Sequence, residues 1–409
     1  MKGTRTAVLK AVTQWVEDAD LQDDPRTPTL WLSGSAGAGK SAIAQSIAEH
    51  CAETNQLAAS FFFSRGRPDR NTANHFWPTI AFQLAMTSLE LRTRIGKVVE
   101  DDPAIFLRSP VDQMEKLIVG PLASLGSLSA KLVVIDGLDE CEGSGAYDIW
   151  KLVAQPINAY RLPLRFFITS RPEQHICNLV QNPEFQHTRR LITLDESFPP
   201  GDDIRLYVRR GFDELISRHP HTMRNIPRPW PPLNEIERLV TLSSASFIYA
   251  STVMRFIGDE DHRPTDQLKA VLNAPRSTPL TELDHLYQHI LWTSTSSTRS
   301  SLLRRILGCL LTAGEPISPD EIENLFSLQQ GDVGLILRRM HSVVSVPDSP
   351  SRAVTVIHAS FVDFLFSPER AGIYYQDPAR SHLDLARACL RLARNRGRYM
   401  PFLSPCHVY

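Results

Sequence analysis

Four residues at fixed spacing, Gly34, Gly39, Lys40 and Ser41, fit the pattern G-x-x-x-x-G-K-[ST]. Those types suit one task, holding a polyphosphate. Glycines let the backbone bend so that the N–H groups of the loop Gly34, Ser35, Ala36, Gly37, Ala38 and Gly39 can turn inward toward an anion. A helix starting at Lys40 would add the positive end of its dipole. The Lys40 ammonium can reach β- and γ-phosphates, and the Ser41 hydroxyl can ligate Mg²⁺. A second acidic group lies in VVIDGLDEC, residues 133–141. Asp136 closes an apolar run and is placed to hold Mg²⁺, through water, together with Ser41. Gly137 leaves room beside it. Of the next two acids, Glu140 is expected to act as general base and Asp139 as the metal or water partner. With Lys40, they form the expected catalytic set. A third candidate stands in FFITSRPE, residues 166–173, where Thr169, Ser170 and Arg171 close another apolar run. A cation there could sense a γ-phosphate: a unit charge pair at about 4 Å is worth about 4 kcal/mol at an effective dielectric of 20. That is enough to bias two states a few kcal/mol apart. The plainer reading makes Arg171 a helix-start residue before Pro172.

The elements that must carry these residues are legible. Residues 5–18 space their apolar side chains as an amphipathic helix, and 23–28 read as a turn into the strand that ends at Ser33. Ile43, Ala44, Ile47 and Ala48 form the stripe of the helix after the glycine loop. AASFFF (58–63), KLVVID (131–136), LRFFIT (164–169) and 190–194 read as further strands, and 73–99, 111–125 and 146–159 as helices. Buried runs alternating with helices predict a parallel sheet in an α/β domain. Arg65, Arg67, Arg70, Asn71 and Asn74, after the second strand, read as a solvated loop.

Beyond residue 200 the pattern is helical: 201–219, 233–243, 245–257, 265–274 and 280–292. A Ser/Thr-rich linker over 293–301 follows. Three short helices (301–313, 319–327, 331–341) and two short strands (342–346, 353–357) are in winged-helix order. Helices resume at 359–366 and 380–395, and the tail from 397 has no pattern. The expected domains are therefore 1–198 (nucleotide-binding), 199–298 (helical), 299–370 (winged helix) and 371–409 (helical remnant and tail).

The 409 residues suffice for two or three domains, and a composition of 42% hydrophobic and 22% charged residues is ordinary for a folded soluble chain. A net charge of −1 gives no support for non-specific attraction to nucleic acid or membranes. Within 331–341 only Arg338, Arg339 and His341 are basic, so no nucleic-acid partner is expected. No apolar run approaches a membrane span. Six scattered cysteines without metal spacing, and no signal peptide, point to reduced thiols in the cytoplasm.

GSAGAGKS, LVVIDGLDEC and FITSRPE together resemble the NACHT group of STAND P-loop NTPases, and more narrowly its fungal nephrocystin-3 N-terminal-like members. GTR at 3–5, ASFFFSR at 59–65, FIYASTVMRFI at 247–257 and VIHASFVDFL at 356–365 fit the same group. The resemblance implies a sheet order 5-1-4-3-2, a helical domain and a winged-helix domain that closes over the nucleotide. It implies an NLR-like signalling switch in innate recognition, with ATP/ADP and Mg²⁺ as ligands, slow hydrolysis and self-association when ATP is bound. It gives His358 a contact to ADP and puts Thr4 and Arg5 near adenine. Read from its own neighbourhood, His358 is a packing or capping residue. Ser246 departs from the glycine usual in the group, and no Gly-x-Pro motif is present. Neither an effector domain nor a repeat array is legible, which keeps a non-enzymatic nucleotide-binding scaffold or a receptor fragment as the alternative. A P-loop kinase or a fast motor is a further rival, but no acceptor pocket or lid is legible.

Overall fold

The computed structural model describes residues 3–17, 28–123 without 66 and 68, 130–183 without 144 and 161, 189–194, 198, 200–274 without 245, 281–294 and 300–396. Most of the turn expected at 23–28 and of the linker at 293–301, and the tail from 397, lie outside the described residues. The chain divides into two units, Met1–Pro200 and Gly201–Tyr409.

In the first unit five strands form one parallel sheet: β1 (Thr29–Ser33), β2 (Leu57–Phe62), β3 (Lys131–Asp136), β4 (Leu164–Ser170) and β5 (Arg189–Thr193). Their order is β2-β3-β4-β1-β5, the expected 5-1-4-3-2 read from the other edge. Helices α1 (Thr6–Glu17), α2 (Lys40–Glu53), α3 (Phe76–Thr87), α4 (Leu89–Asp101), α5 (Gly145–Tyr160) and α6 (Gln174–Gln181) accompany it. Every residue of β1 and β4 is buried, as is β3 apart from Lys131. Strands covered on both faces need no polar side, which is why they read as unbroken apolar runs.

The two-residue period then sorts the side chains. Trp31, Val133, Ile135, Phe166 and Ile168 pack with Phe76 and Trp77 of α3 and Trp150 of α5. Leu30, Leu32, Leu132, Val134 and Phe167 pack with Ile43 and Ile47 of α2 and Val8, Val12 and Trp15 of α1. Arg165 caps this second layer: its buried guanidinium donates to the carbonyls of Trp15, at 2.5 Å, and Val16, at 2.8 Å, at the negative end of α1.

Two expected helices differ. The run 73–99 breaks at Ser88, whose backbone is extended and whose Oγ accepts the Leu91 N–H at 3.2 Å, so the serine caps a new helix. The run 111–125 is built of short pieces, Pro110–Met114, a π-helical turn Glu115–Val119 and Gly120–Ala123. Pro121 removes an N–H from this ladder and prevents a regular α-helix there.

The second unit holds α7 (Gly201–Arg218), α8 (Leu233–Leu242), α9 (Phe247–Ile257), α10 (Pro264–Leu272), α11 (Glu282–Ser294), α12 (Ser300–Thr312), α13 (Pro319–Phe326) and α14 (Asp332–Leu337). An antiparallel pair, β6 (Val344–Ser345) with β7 (Thr355–Val356), follows, then α15 (Ala359–Leu365) and α16 (Pro378–Arg396). One apolar cluster runs from Ile204 to Tyr374. Within it Asp284 of α11, almost fully buried, accepts two hydrogen bonds from Arg370, at 2.7 and 3.0 Å.

Candidate functional site

The strand order brings the carboxyl ends of β3, β4 and β1 side by side, and each of the three motifs spans or follows the end of one of these strands. In open α/β sheets this edge is where ligands bind. After β1, Gly37 and Gly39 have φ of 78° and 93°, a region where a Cβ would be strained. Gly34 is needed for space, since a Cβ there would lie 3.2 Å from Leu194 Cβ. Ser35 and Ser41 are exposed, Ala36, Gly37 and Gly39 half-buried, and Ala38 buried. The loop leads straight into α2, whose first N–H groups have no acceptor within the helix. Lys40 is buried and its Nζ donates to the carbonyls of Gly34, at 2.7 Å, and Ser35, at 2.9 Å. A left-handed glycine pair, a helix N-terminus and an ammonium folded over the same loop form a donor set of the kind that can hold a chain of phosphates.

After β3, Asp136 is buried and its Oδ1 accepts the Thr169 hydroxyl at 2.5 Å. The same Thr169 oxygen accepts the Gly137 N–H at 3.2 Å, so this hydroxyl joins the ends of β3 and β4. Burial pushes the Asp136 carboxyl above the usual carboxylate range, while hydrogen bonds from Thr169 and Ser41 and the charge of Lys40 pull it back. Asp136 and Ser41 thus meet at one point, as two ligands of one cation would. Gly137 (φ 70°) turns the chain into the short helix Leu138–Glu140.

Asp139 is buried and engaged on both oxygens by Arg171: Oδ1 accepts its backbone N–H at 2.9 Å and Oδ2 lies 3.2 Å from its Nε. The acid expected to face metal or water is therefore the anchor of the cation expected to sense phosphate. Burial, reinforced by the Asp139 charge, pushes the Glu140 carboxyl upward, against the Arg65 N–H and the Arg171 charge. The neighbouring Cys141 thiol is pushed up to about 11, chiefly by burial, so it stays protonated at neutral pH.

Lys40, Ser41, Asp136, Asp139, Glu140 and Arg171 are gathered at this edge. His358 belongs to the second unit, where it N-caps α15, with its Nδ1 accepting the Ser360 N–H at 3.0 Å. Two arginines have a larger part than their sequence context indicated. Arg5 is buried and donates to the carbonyls of Ala38, at 2.8 Å, and Phe198, at 2.7 Å, tying the start of α1 to the glycine loop. Arg65 is exposed, as a solvated loop implies, and still reaches the acidic turn: its Nη2 donates to the Asp139 carbonyl at 3.1 Å and its N–H to Glu140 Oε2 at 3.3 Å. Its one sequence signal was position, just past the carboxyl end of a strand.

Arg5→Ala would leave two inward-facing carbonyls without the guanidinium, each costing about 1–3 kcal/mol. Urea unfolding of the variant should therefore show a loss of about 2–5 kcal/mol. A loss under 0.5 kcal/mol would show that the clamp does not hold the loop.

The fold is that of the P-loop NTPases. Residues 3–171 match the family described as nephrocystin 3, N-terminal. No curated protein gives a significant match. Among solved structures, a STAND protein with a tetratricopeptide repeat sensor from Pyrococcus horikoshii is similar over 92% of this chain, at 11% identity and a TM-score of 0.46. The chain spans 44% of that protein's length. Drosophila ORC bound to DNA is similar at 11% identity and a TM-score of 0.42, over 96% of this chain and 95% of that one. Aeropyrum pernix ORC1 in complex with DNA is similar at 14% and 0.40, over 96% and 92%.

The expectation that nucleic acid is no partner is corrected by these neighbours, two of which were solved on DNA. That expectation rested on the total charge and on the few basic residues of 331–341, and neither samples the cations elsewhere on the surface, whose local arrangement decides attraction to phosphate backbones. Among the described residues no helix is long and apolar enough to cross a membrane.

Proposed function

We propose that the chain is an ATP/ADP-binding signalling switch of the NLR-like kind, in which slow Mg²⁺-dependent hydrolysis controls oligomerisation. The observation that carries this reading is the junction of β1, β3 and β4, where Lys40, Ser41, Asp136, Thr169 and Glu140 come from three adjacent strand ends. The loop 34–39 and Lys40 bind the phosphates. Ser41 and Asp136 hold Mg²⁺, which when bound would neutralise phosphate charge. Glu140, with its raised proton affinity, takes the proton of the attacking water, and Asp139 keeps Arg171 in place to register the terminal phosphate. His358 is assigned the ADP contact implied by the resemblance. Its Nδ1 accepts from Ser360, which puts the proton on Nε2. We assign 1–198 as the nucleotide-binding domain, 199–298 as a helical domain, 299–370 as a winged-helix domain and 371–409 as a remnant. Action in the cytoplasm, in fungal innate recognition, belongs to the same proposal.

Unassisted hydrolysis should be slow, on the order of 10⁻⁴ per second as in small GTPases acting alone. Purified protein, denatured and chromatographed, should release near-stoichiometric ADP or ATP. Protein that comes out empty and ignores added ATP would overturn the switch and favour a scaffold that has lost its ligand. Many turnovers per second would favour a motor.

A further inference from the structure

We propose that Arg65 is a positioning residue for hydrolysis, holding the Glu140 turn in register against the segment that follows β2. This rests on Glu140 being the water-positioning acid. Four hydrogen bonds fasten residues 63–71 to 136–142 beyond the end of the sheet. Phe63 N–H donates to the Asp136 carbonyl at 2.9 Å, continuing the β2–β3 ladder. Arg65 N–H reaches Glu140 Oε2 at 3.3 Å, and Arg65 Nη2 reaches the Asp139 carbonyl at 3.1 Å. Glu142 N–H donates to the Asn71 carbonyl at 2.7 Å.

Three of these use main-chain donors that any residue would supply. The guanidinium of Arg65 supplies the fourth, joining this segment to the Asp139 carbonyl in the middle of the turn. The segment is itself stiffened by the bonds Ser64 N–H to Arg70 carbonyl, at 3.1 Å, and Arg67 N–H to Ser64 carbonyl, at 3.1 Å. The turn is short, with Gly137 in the left-handed region and a single helical turn after it, and from the β4 side Thr169 holds Gly137 and Arg171 holds Asp139. Glu173, 3.5 Å from Nη2, holds the guanidinium from the other side. Arg67 and Arg70 pair with the exposed Asp69 and do not share this task.

A positioning role differs from a purely structural one in what it moves. Losing the guanidinium should release the Asp139 carbonyl and loosen the aim of Glu140, leaving the phosphate loop untouched. The test compares wild type, Arg65→Ala, Arg65→Lys and Glu140→Gln in single-turnover ATP hydrolysis across pH, with fluorescent ADP binding measured in parallel. Arg65→Ala should hydrolyse at least tenfold more slowly, with ADP affinity within threefold of wild type. Arg65→Lys should restore part of the rate, since its ammonium can still donate toward the Asp139 carbonyl. Hydrolysis by Arg65→Ala within twofold of wild type, or an equal loss of rate and affinity, would overturn the proposal. Wild-type rates in Glu140→Gln would overturn the role of Glu140 itself, a failure distinguishable from that of Arg65 alone.

Discussion

Lys40→Ala should lower affinity for ADP and ATP a hundredfold or more in titrations with fluorescent nucleotide. The wild-type ammonium lies over the loop, bonded to the Gly34 and Ser35 carbonyls, within reach of anything the loop holds. Each hydrogen bond from a charged donor is worth about 1.5–3 kcal/mol. Losing two to phosphate oxygens gives about 3 kcal/mol at the least, which is about a hundredfold in Kd. The variant also loses the two bonds to the loop carbonyls. Its thermal midpoint must therefore be measured alongside, and a folded variant with weak binding is the expected result. ADP affinity within fivefold of wild type would mean that the loop is not a phosphate cradle.

Glu140→Gln should slow hydrolysis by about 10² to 10⁴, the usual contribution of a general base, with nucleotide affinity unchanged within threefold. The exchange keeps shape and burial but removes the proton acceptor. The pH profile gives the sharper test. Burial and the Asp139 charge hold the Glu140 carboxyl above the ordinary value of about 4.3. A base works only when deprotonated, so the wild-type rate should fall on acidification, and at a higher pH than an ordinary glutamate would dictate. Glu140→Gln should abolish that limb along with the rate. A wild-type rate that stays flat from pH 8 to pH 5 would remove Glu140 from the mechanism.

The sequence by itself determined the parts of this protein whose physics is local. Glycine spacing, a helix stripe beginning at Lys40 and apolar runs ending in Asp136 and Arg171 are short-range patterns, and each stands where it was read. The parallel sheet was legible for the same reason, since strands buried on both faces carry no polar alternation. The strand order agreed with the family resemblance, which local pattern alone could not supply.

Tertiary structure decided the pairings. That Asp139 binds Arg171, that Thr169 joins Asp136 to Gly137, and that Arg5 clamps the Ala38 carbonyl are contacts across 32 to 33 positions of chain. No residue type announces them, because a buried carboxylate takes whichever donor the fold delivers. Arg65 shows this most plainly. Among arginines and asparagines it read as one more solvated cation, and it is about as exposed as Arg67 and Arg70 beside it. What sets Arg65 apart is that β2 ends next to β3, so the first turn beyond one strand lies against the acidic turn beyond the other. Adjacency of strands is settled by packing two hydrophobic layers at once, and only the folded chain carries that information.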